Sequence, residues 1–134
     1  MPVCWEDILL NNKTNIKNCT AKMNHPVVMS PNSFAYVDLY QGNPIAEAPT
    51  YGMLRLSQSY KFDPVPTGVD PKYILGGQAN LWSERLNTIR RAEHMLRPRA
   101  FAIAESLWSP QEKKNWYNFV QRVEKNSNVL ISQK

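Results

Sequence analysis

The chain has 134 residues, of which 43% are hydrophobic and 20% are charged, and its formal net charge at pH 7 is +5. This length is enough for one domain with a core, but it is short for a complete barrel or doubly wound enzyme. The sequence has no run of eighteen apolar residues and no polar low-complexity tract, so neither a membrane span nor a disordered chain is expected.

The charged residues and the cysteines exclude further classes. Basic residues are scattered among acids except for the arginines between positions 85 and 99, where a solvated surface is a commoner meaning than a nucleic acid site. Cys4 and Cys19 are too few for a disulfide framework or a zinc site. We therefore expect no metal and no cofactor. The first residues also lack the basic and apolar regions of a signal peptide.

The first elements predict a strand, a helix and a second strand. Val3-Cys4-Trp5 is a short apolar run, and residues 13–24 have loosely amphipathic helical spacing. Val27-Val28-Met29, after His25-Pro26, is a continuous apolar run typical of a strand covered on both faces. The connection is long enough for a parallel crossover and too long for a hairpin, which favours a βαβ unit.

The middle of the chain predicts a long loop and a third strand. Residues 30–48 are rich in turn formers and aromatic residues, and loops of this length are commonly functional. A short helix is expected at about residues 51–60, and the prolines of FDPVPTGVDP exclude regular structure after it. Tyr73-Ile74-Leu75, opening into Gly76-Gly77, predicts the third strand.

The last third of the chain predicts helices. Residues 88–108 have helical spacing that Pro98 is expected to kink or split. Ser109 and Pro110 are expected at the N-cap and first position of a last helix. That helix would place four apolar residues on one side: Trp116, Phe119, Val120 and Val123. The fold class is thus α/β, with about three parallel strands that cannot close a sheet alone, so we expect a piece of a larger barrel.

An aromatic residue and a carboxylate follow each predicted strand. The three segments are Trp5-Glu6-Asp7, Tyr36-Val37-Asp38 and Trp82-Ser83-Glu84. In a barrel of parallel strands these ends converge on one pocket. Aromatic rings stack on the C–H faces of a pyranose and carboxylates accept its hydroxyl groups, so the composition indicates a saccharide site.

Four ordered segments carry a family resemblance: VVMSP, FAYVDLYQG, YILGGQANLWSE and HMLRPRAFAIAESLWSP. They resemble the C-terminal part of the catalytic (β/α)₈ barrel, or TIM barrel, of family 20 glycoside hydrolases, the β-N-acetylhexosaminidases. The resemblance implies that residues 1–110 form a partial barrel domain with strands like the sixth to eighth, and that residues 111–134 form a helical segment packing on it. It also implies a periplasmic or secreted parent protein.

The resemblance implies substrate-assisted hydrolysis of terminal N-acetylhexosamines with retention, in which the substrate's acetamido oxygen attacks C1. Tyr36 is similar to the tyrosine that positions this oxygen. Asp38 and Glu84 resemble carboxylates that bind sugar hydroxyls, and Trp82 resembles the aromatic floor of the −1 subsite. Trp5 is similar to an acetamido-pocket tryptophan on either the fifth or the sixth strand, of which we favour the sixth.

The family's adjacent Asp-Glu pair, which supplies the general acid, is absent from the 134 residues. We therefore expect a fragment that is inactive alone and whose partners are an N-acetylhexosaminide and the missing N-terminal barrel portion. We expect no nucleic acid partner and no membrane. Two other classes stay open: an inactive carbohydrate-binding or structural remnant, and a nucleic acid binder acting through the arginines at positions 85–99.

Several conspicuous residues also have ordinary structural interpretations. Trp108 and Trp116 are expected to serve packing and not sugar binding, and Arg99 and Glu105 are expected to form structural ion pairs. Gly76-Gly77 is either a plain turn or, by the resemblance, a place where the backbone passes close to the pocket.

Overall fold

The computed structural model describes residues 3–4, 24–65 and 67–132. Within them a parallel sheet has the order β1-β2-β3, with β1 at Val3–Cys4, β2 at Val27–Met29 and β3 at Ile74–Gly77. The three predicted strands and their parallel pairing are confirmed. The central strand β2 is buried throughout, as its uninterrupted apolar sequence predicts. The predicted helix at residues 13–24 lies outside the described residues, apart from Asn24.

The α-helices are α1 at Asn32–Ala35, α2 at Leu56–Tyr60, α3 at Ile89–Leu96, α4 at Arg99–Trp108 and α5 at Trp116–Ser132. Short 3₁₀ helices occur at Pro71–Tyr73, Ser83–Arg85 and Gln111–Lys113. Pro98 splits the predicted long helix into α3 and α4, as expected, and the Thr88 side chain caps α3 by accepting a hydrogen bond from the Arg91 backbone at 3.1 Å.

Two predicted helix starts are wrong. The helix predicted at residues 51–60 begins only at Leu56, because residues 52–54 pair with Tyr40 through backbone hydrogen bonds of 2.7 and 2.8 Å. The last helix begins at Trp116 and not after Ser109, because residues 111–113 form a 3₁₀ turn. Asn115 supplies the cap, and its side chain accepts from the Asn118 backbone at 3.0 Å.

Helix α4 separates two apolar clusters. Its Ile103 joins the cluster under the sheet, whose members are Val27, Met29, Val37, Phe62, Val69 and Ile103. Its Ala102 joins Tyr60 and Phe119 in the second cluster, against which the partly buried Val120 and Val123 also pack. The apolar side predicted for α5 is therefore confirmed.

Gly77 is required by packing under the sheet. A Cβ atom there would lie 2.6 Å from Phe62 and 2.8 Å from Leu107, and Gly76 has a φ of +135°, which favours glycine. The glycines are thus part of strand β3. The interpretation of a plain turn is wrong, because both glycines belong to the strand, whereas the close approach of the backbone to the pocket stays a prediction.

The structural interpretations of four other residues have mixed outcomes. Trp116 packs on Tyr60 and Phe119 with ring centroids 5.3 and 5.8 Å apart, as predicted, whereas Trp108 is 90% exposed and its predicted packing is wrong. Glu105 pairs with Arg122 at 2.6 Å. Arg99 forms no ion pair among the described residues, because its guanidinium donates to backbone carbonyls.

Candidate functional site

Two of the predicted site segments are joined by a short parallel bridge. Tyr36 pairs with Asn80, the Val37 N–H donates to the Asn80 carbonyl at 2.8 Å, and the Asn80 N–H donates to the Ala35 carbonyl at 2.8 Å. Side chains alternate along extended chains, so this register sets Tyr36 and Asp38 beside the segment that carries Trp82.

A cavity of about 670 Å³ lies where these segments meet. Its wall contains the four described residues that the sequence predicted for the site: Tyr36, Asp38, Trp82 and Glu84. Sequence reasoning missed further lining residues, namely Asn32, Ser33, Leu39, Tyr51, Gly52, Met53 and Gln58. Trp5 lies outside the described residues, so its predicted place in the site stays a prediction.

Tyr36 and Trp82 form an aromatic wall. Their ring centroids are 6.3 Å apart and their planes are tilted by 52°. Trp82 is 42% exposed although it is a large apolar side chain. The two rings therefore present apolar surface to the cavity, and such surface can pack on the C–H groups of a ligand.

Asp38 is a buried carboxylate, only 4% exposed. Burial raises its pKa, and the charge of Glu84 raises it further; backbone hydrogen bonds from Asp38 itself and from Trp82, and the charge of Arg99, act in the opposite direction. The Oδ1 atom has no hydrogen-bond partner among the described residues. An unpartnered acceptor of this kind is costly to bury, and Asp38 itself lines the cavity.

Glu84 lies on the same cavity wall and faces Tyr51. The Tyr51 hydroxyl donates to Glu84 Oε2 at 3.4 Å, and the Arg85 guanidinium lies 5.4 Å from the centroid of the Tyr51 ring. No motif marked Tyr51 as a site residue. The only signal was its position after the long loop at residues 30–48, since the Tyr40–Met53 bridge that brings it to the cavity is a long-range pairing.

The amides of the GGQANLWSE segment serve the fold. Gln78 Nε2 donates to Asn80 Oδ1 at 2.9 Å, Asn80 Nδ2 donates to the Ser30 hydroxyl, and that hydroxyl donates to the Gln78 carbonyl at 3.2 Å. This closed network joins the end of β2 to the end of β3. Of the polar side chains in this segment, the cavity wall contains only Glu84.

The described residues contain no group of three or more His, Cys, Asp or Glu side chains that could hold a metal ion. In the same part of the chain, no helix is both long enough and apolar enough to cross a membrane.

Comparisons with known proteins place the chain among glycosidases. The sequence model described as "Glycosyl hydrolase family 20, catalytic domain" matches residues 3–111. A beta-hexosaminidase of Porphyromonas gingivalis is 40% identical over 109 residues, which are 78% of this chain and 14% of that protein. A beta-N-acetylhexosaminidase of Cellulomonas fimi is 34% identical over 101 residues, covering 72% of this chain and 20% of that protein.

Solved structures agree on the fold. An exo-β-N-acetylglucosaminidase from Vibrio harveyi, solved with N-acetylglucosamine, is similar with a TM-score of 0.72 and 26% identity over 98% of this chain and 23% of that one. The β-N-acetylhexosaminidase from Streptomyces coelicolor is similar with a TM-score of 0.75 and 23% identity, over 90% of this chain and 25% of the Streptomyces chain. The chain spans a quarter or less of each of these relatives.

Proposed function

The chain belongs to glycosyl hydrolase family 20, and we propose that it carries the sugar-binding portion of a β-N-acetylhexosaminidase catalytic domain. The observation that carries this proposal is Asp38: a buried carboxylate with an unpartnered oxygen among the described residues lines a cavity beside two aromatic rings. This combination fits a pyranose, whose hydroxyls donate to carboxylates and whose C–H faces pack on rings.

We propose further that the chain is a fragment of the barrel. Residues 1–110 would supply strands like the sixth to eighth, and residues 111–134 would supply a helical segment that packs on them. The chain covers only 14–23% of the length of three of its relatives, which supports this interpretation. So does the sheet, whose described strands number three, because a small parallel sheet with open edges is not expected to stand alone.

Each cavity residue would have a separate role toward the sugar. Tyr36 would hold the acetamido oxygen in position for attack on C1, and Trp82 would pack on the apolar side of the ring. Asp38 and Glu84 would accept hydrogen bonds from the hydroxyls on the C6 and C4 side. Trp5 would complete the acetamido pocket. Accurate placement of a reacting group can contribute several kcal/mol to catalysis, so Tyr36 would affect rate as well as affinity.

The bond-breaking step needs a group that these residues do not provide. In substrate-assisted retention the acetamido oxygen attacks C1 while a carboxylic acid protonates the leaving oxygen. No Asp in the 134 residues is followed directly by Glu, so the family's acid-bearing pair would come from another part of the parent protein. The chain would therefore bind and orient the sugar without cleaving the glycosidic bond.

Binding of N-acetylglucosamine tests the proposed site. Titration calorimetry should detect binding to the wild-type chain, and Trp82→Ala should weaken it about tenfold or more, because a buried aromatic contact contributes roughly 1.5–3 kcal/mol. Trp108→Ala is the matched control, since Trp108 is exposed and outside the cavity wall. Equal affinity of wild type and Trp82→Ala would show that Trp82 does not contact the sugar. No binding by wild type would favour a structural remnant.

Turnover of an aryl N-acetylglucosaminide tests the fragment proposal. The chain alone is expected to show no hydrolysis above the rate in buffer. Appreciable turnover that persists after repurification would contradict the claim that the general acid lies elsewhere. Salt dependence separates the nucleic acid alternative: binding to phosphates through the arginines at positions 85–99 should fall steeply with salt, and sugar binding should not.

A further inference from the structure

Arg99 is the largest fully buried side chain in the described part of the molecule, and its position is unusual for a charge. It is the first residue of α4, and its guanidinium donates to four backbone carbonyls. Two of them, Val37 at 2.5 Å and Leu39 at 2.8 Å, flank Asp38 in sequence. The others belong to Leu54 at 3.0 Å and Met95 at 2.6 Å.

These contacts join four segments, of which two contribute residues to the cavity wall. One guanidinium connects the Asp38 loop, the segment that bridges Tyr40, the end of α3 and the start of α4. Lysine could not make this set of bonds, because only the planar guanidinium offers donors in a rigid fork. Arg99 therefore contacts the site through the backbone carbonyls on both sides of Asp38.

The burial of Arg99 is not explained by an ion pair. Burial lowers its pKa to about 10, and the charges that face it are those of Glu47 and Asp38, which favour its protonation, and Arg91, which opposes it. A buried charge without a hydrogen-bonded acid is costly, and here the four backbone carbonyls that accept from the guanidinium offset that cost. Two of these carbonyls belong to the residues on either side of Asp38, so the charge is held where the backbone of the cavity wall needs a donor.

We propose that Arg99 is a positioning residue of the sugar cavity, which fixes the Asp38 carboxylate by holding both flanking carbonyls and by keeping a positive charge near it. This inference rests on the proposed sugar-binding function. The substrate atoms are contacted by Asp38, and Arg99 acts only through it.

The first test follows the ionisation of Asp38 and needs no ligand. Its carboxyl carbon is titrated by NMR in wild type, Arg99→Met and Arg91→Met. The charges that act on Asp38 are those of Glu84 and Arg99, so loss of Arg99 should move its titration to higher pH. Arg91, whose guanidinium donates to the Ala48 carbonyl at 3.1 Å, is the matched control and should leave the titration unchanged. An unmoved titration in Arg99→Met would overturn the electrostatic part of the proposal.

The second test uses Arg99→Lys, which keeps the charge and serves also if Arg99→Met does not fold. Amide hydrogen exchange at Val37 and Tyr40, the hydrogen-bonded residues around Asp38, should accelerate about tenfold relative to Phe119 in the other cluster. A purely structural role would accelerate all three amides together. Uniform acceleration, or none, would overturn the positioning role.

Sugar affinity then separates this inference from the function on which it rests. If wild type binds N-acetylglucosamine, Arg99→Lys should bind it about tenfold more weakly at pH 7. Misplacing the Asp38 carboxylate should weaken its hydrogen bond to the sugar, and a hydrogen bond to a charged group contributes at least about tenfold in affinity. Wild-type affinity in Arg99→Lys would contradict the inference. If wild type itself does not bind, the proposed function fails, while the titration and exchange measurements still decide what Arg99 does to Asp38.

Discussion

Two regions of this molecule have nearly the same residue types but different hydrogen bonding. The cavity region combines Tyr36, Trp82 and the buried Asp38. The face where α2, α4 and α5 meet, which we call the helical face, combines Tyr60, Trp116, Phe119 and Glu105. Aromatic rings surround a carboxylate in both.

The difference lies in where the carboxylate oxygens find their donors. Glu105 accepts from Arg122 with both oxygens, at 2.7 and 2.6 Å, and from the Tyr60 hydroxyl at 3.3 Å. Asp38 is more deeply buried, and its Oδ1 has no partner among the described residues. Composition alone thus does not distinguish a binding site from a structural face. The two regions differ in whether the buried carboxylate finds donors within the described residues.

Phe119→Ala should produce the largest effect and should act on the helical face alone. Removing this buried ring should lower the free energy of unfolding by about 3–5 kcal/mol, because the cavity left behind cannot fully collapse. Urea unfolding measures the loss. Binding of N-acetylglucosamine, measured at low temperature where the variant is folded, should stay within about twofold of wild type if the two regions are independent. A parallel loss of binding would show that they are coupled.

Asp38→Asn should do the reverse. Sugar affinity should fall by about tenfold to a hundredfold, since a hydrogen bond to a charged acceptor contributes about 1.5–3 kcal/mol. The midpoint of thermal unfolding should hold or rise, because the neutral amide is cheaper to bury. Glu105→Gln is the matched change on the helical face, and it should leave sugar affinity unchanged. A large drop in stability for Asp38→Asn would show that Asp38 serves the fold.

The pH dependence of stability and of binding should have opposite signs at Asp38. Burial raises the pKa of Asp38, so the folded chain retains a proton that the unfolded chain loses, and this group lowers the free energy of unfolding as pH rises from about 4, the ordinary Asp value, to its raised pKa. Sugar affinity should rise over the same range, because the ionised carboxylate is the stronger acceptor.

The measurement is the difference between wild type and Asp38→Asn, since other groups titrate in both. Chemical unfolding and calorimetric titration are repeated across the acidic range. A wild-type stability that rises with pH relative to that of Asp38→Asn would contradict the raised pKa. A pH-independent difference in affinity would show that the charge of Asp38 is not used in binding.

Arg122→Met should have the smallest effect. The Arg122 side chain is 55% exposed, so its pair with Glu105 should contribute only about 0.2–1 kcal/mol to stability, and high salt should reduce the difference from wild type. Sugar affinity should not change. A loss of stability well above this range would mean that the helical face depends on this ion pair.

Local features of the fold were predictable where neighbours in sequence decide them. The apolar run at Val27–Met29 became a buried strand, and Pro98 separated α3 from α4, because both follow from short-range patterns. The helix starts at Leu56 and Trp116 were missed. Backbone pairing with Tyr40 in one case, and a 3₁₀ turn followed by the Asn115 cap in the other, outweighed local preference.

The site was predictable to the extent that its residues belong to recognisable segments. Tyr36, Asp38, Trp82 and Glu84 line one cavity, as the aromatic and carboxylate pairs after the strands predicted. Tyr51 was missed because a bridge between Tyr40 and Met53 brings it there, and such a pairing leaves no local signature. The predicted ion pair of Arg99 was wrong. A charged residue predicts an acidic partner, but the guanidinium donates to backbone carbonyls that come from distant parts of the chain.

By itself, the sequence determined which side chains are available: the apolar strands, the aromatic rings and the carboxylates, together with the absence of an adjacent Asp-Glu pair. Tertiary structure decided how those groups are satisfied. It closed Gln78 and Asn80 into a network with Ser30, gave Glu105 its arginine, and left a buried oxygen of the cavity residue Asp38 without a partner among the described residues. The physical reason is that residue chemistry is local, whereas burial and hydrogen-bond partners depend on segments far apart in the chain.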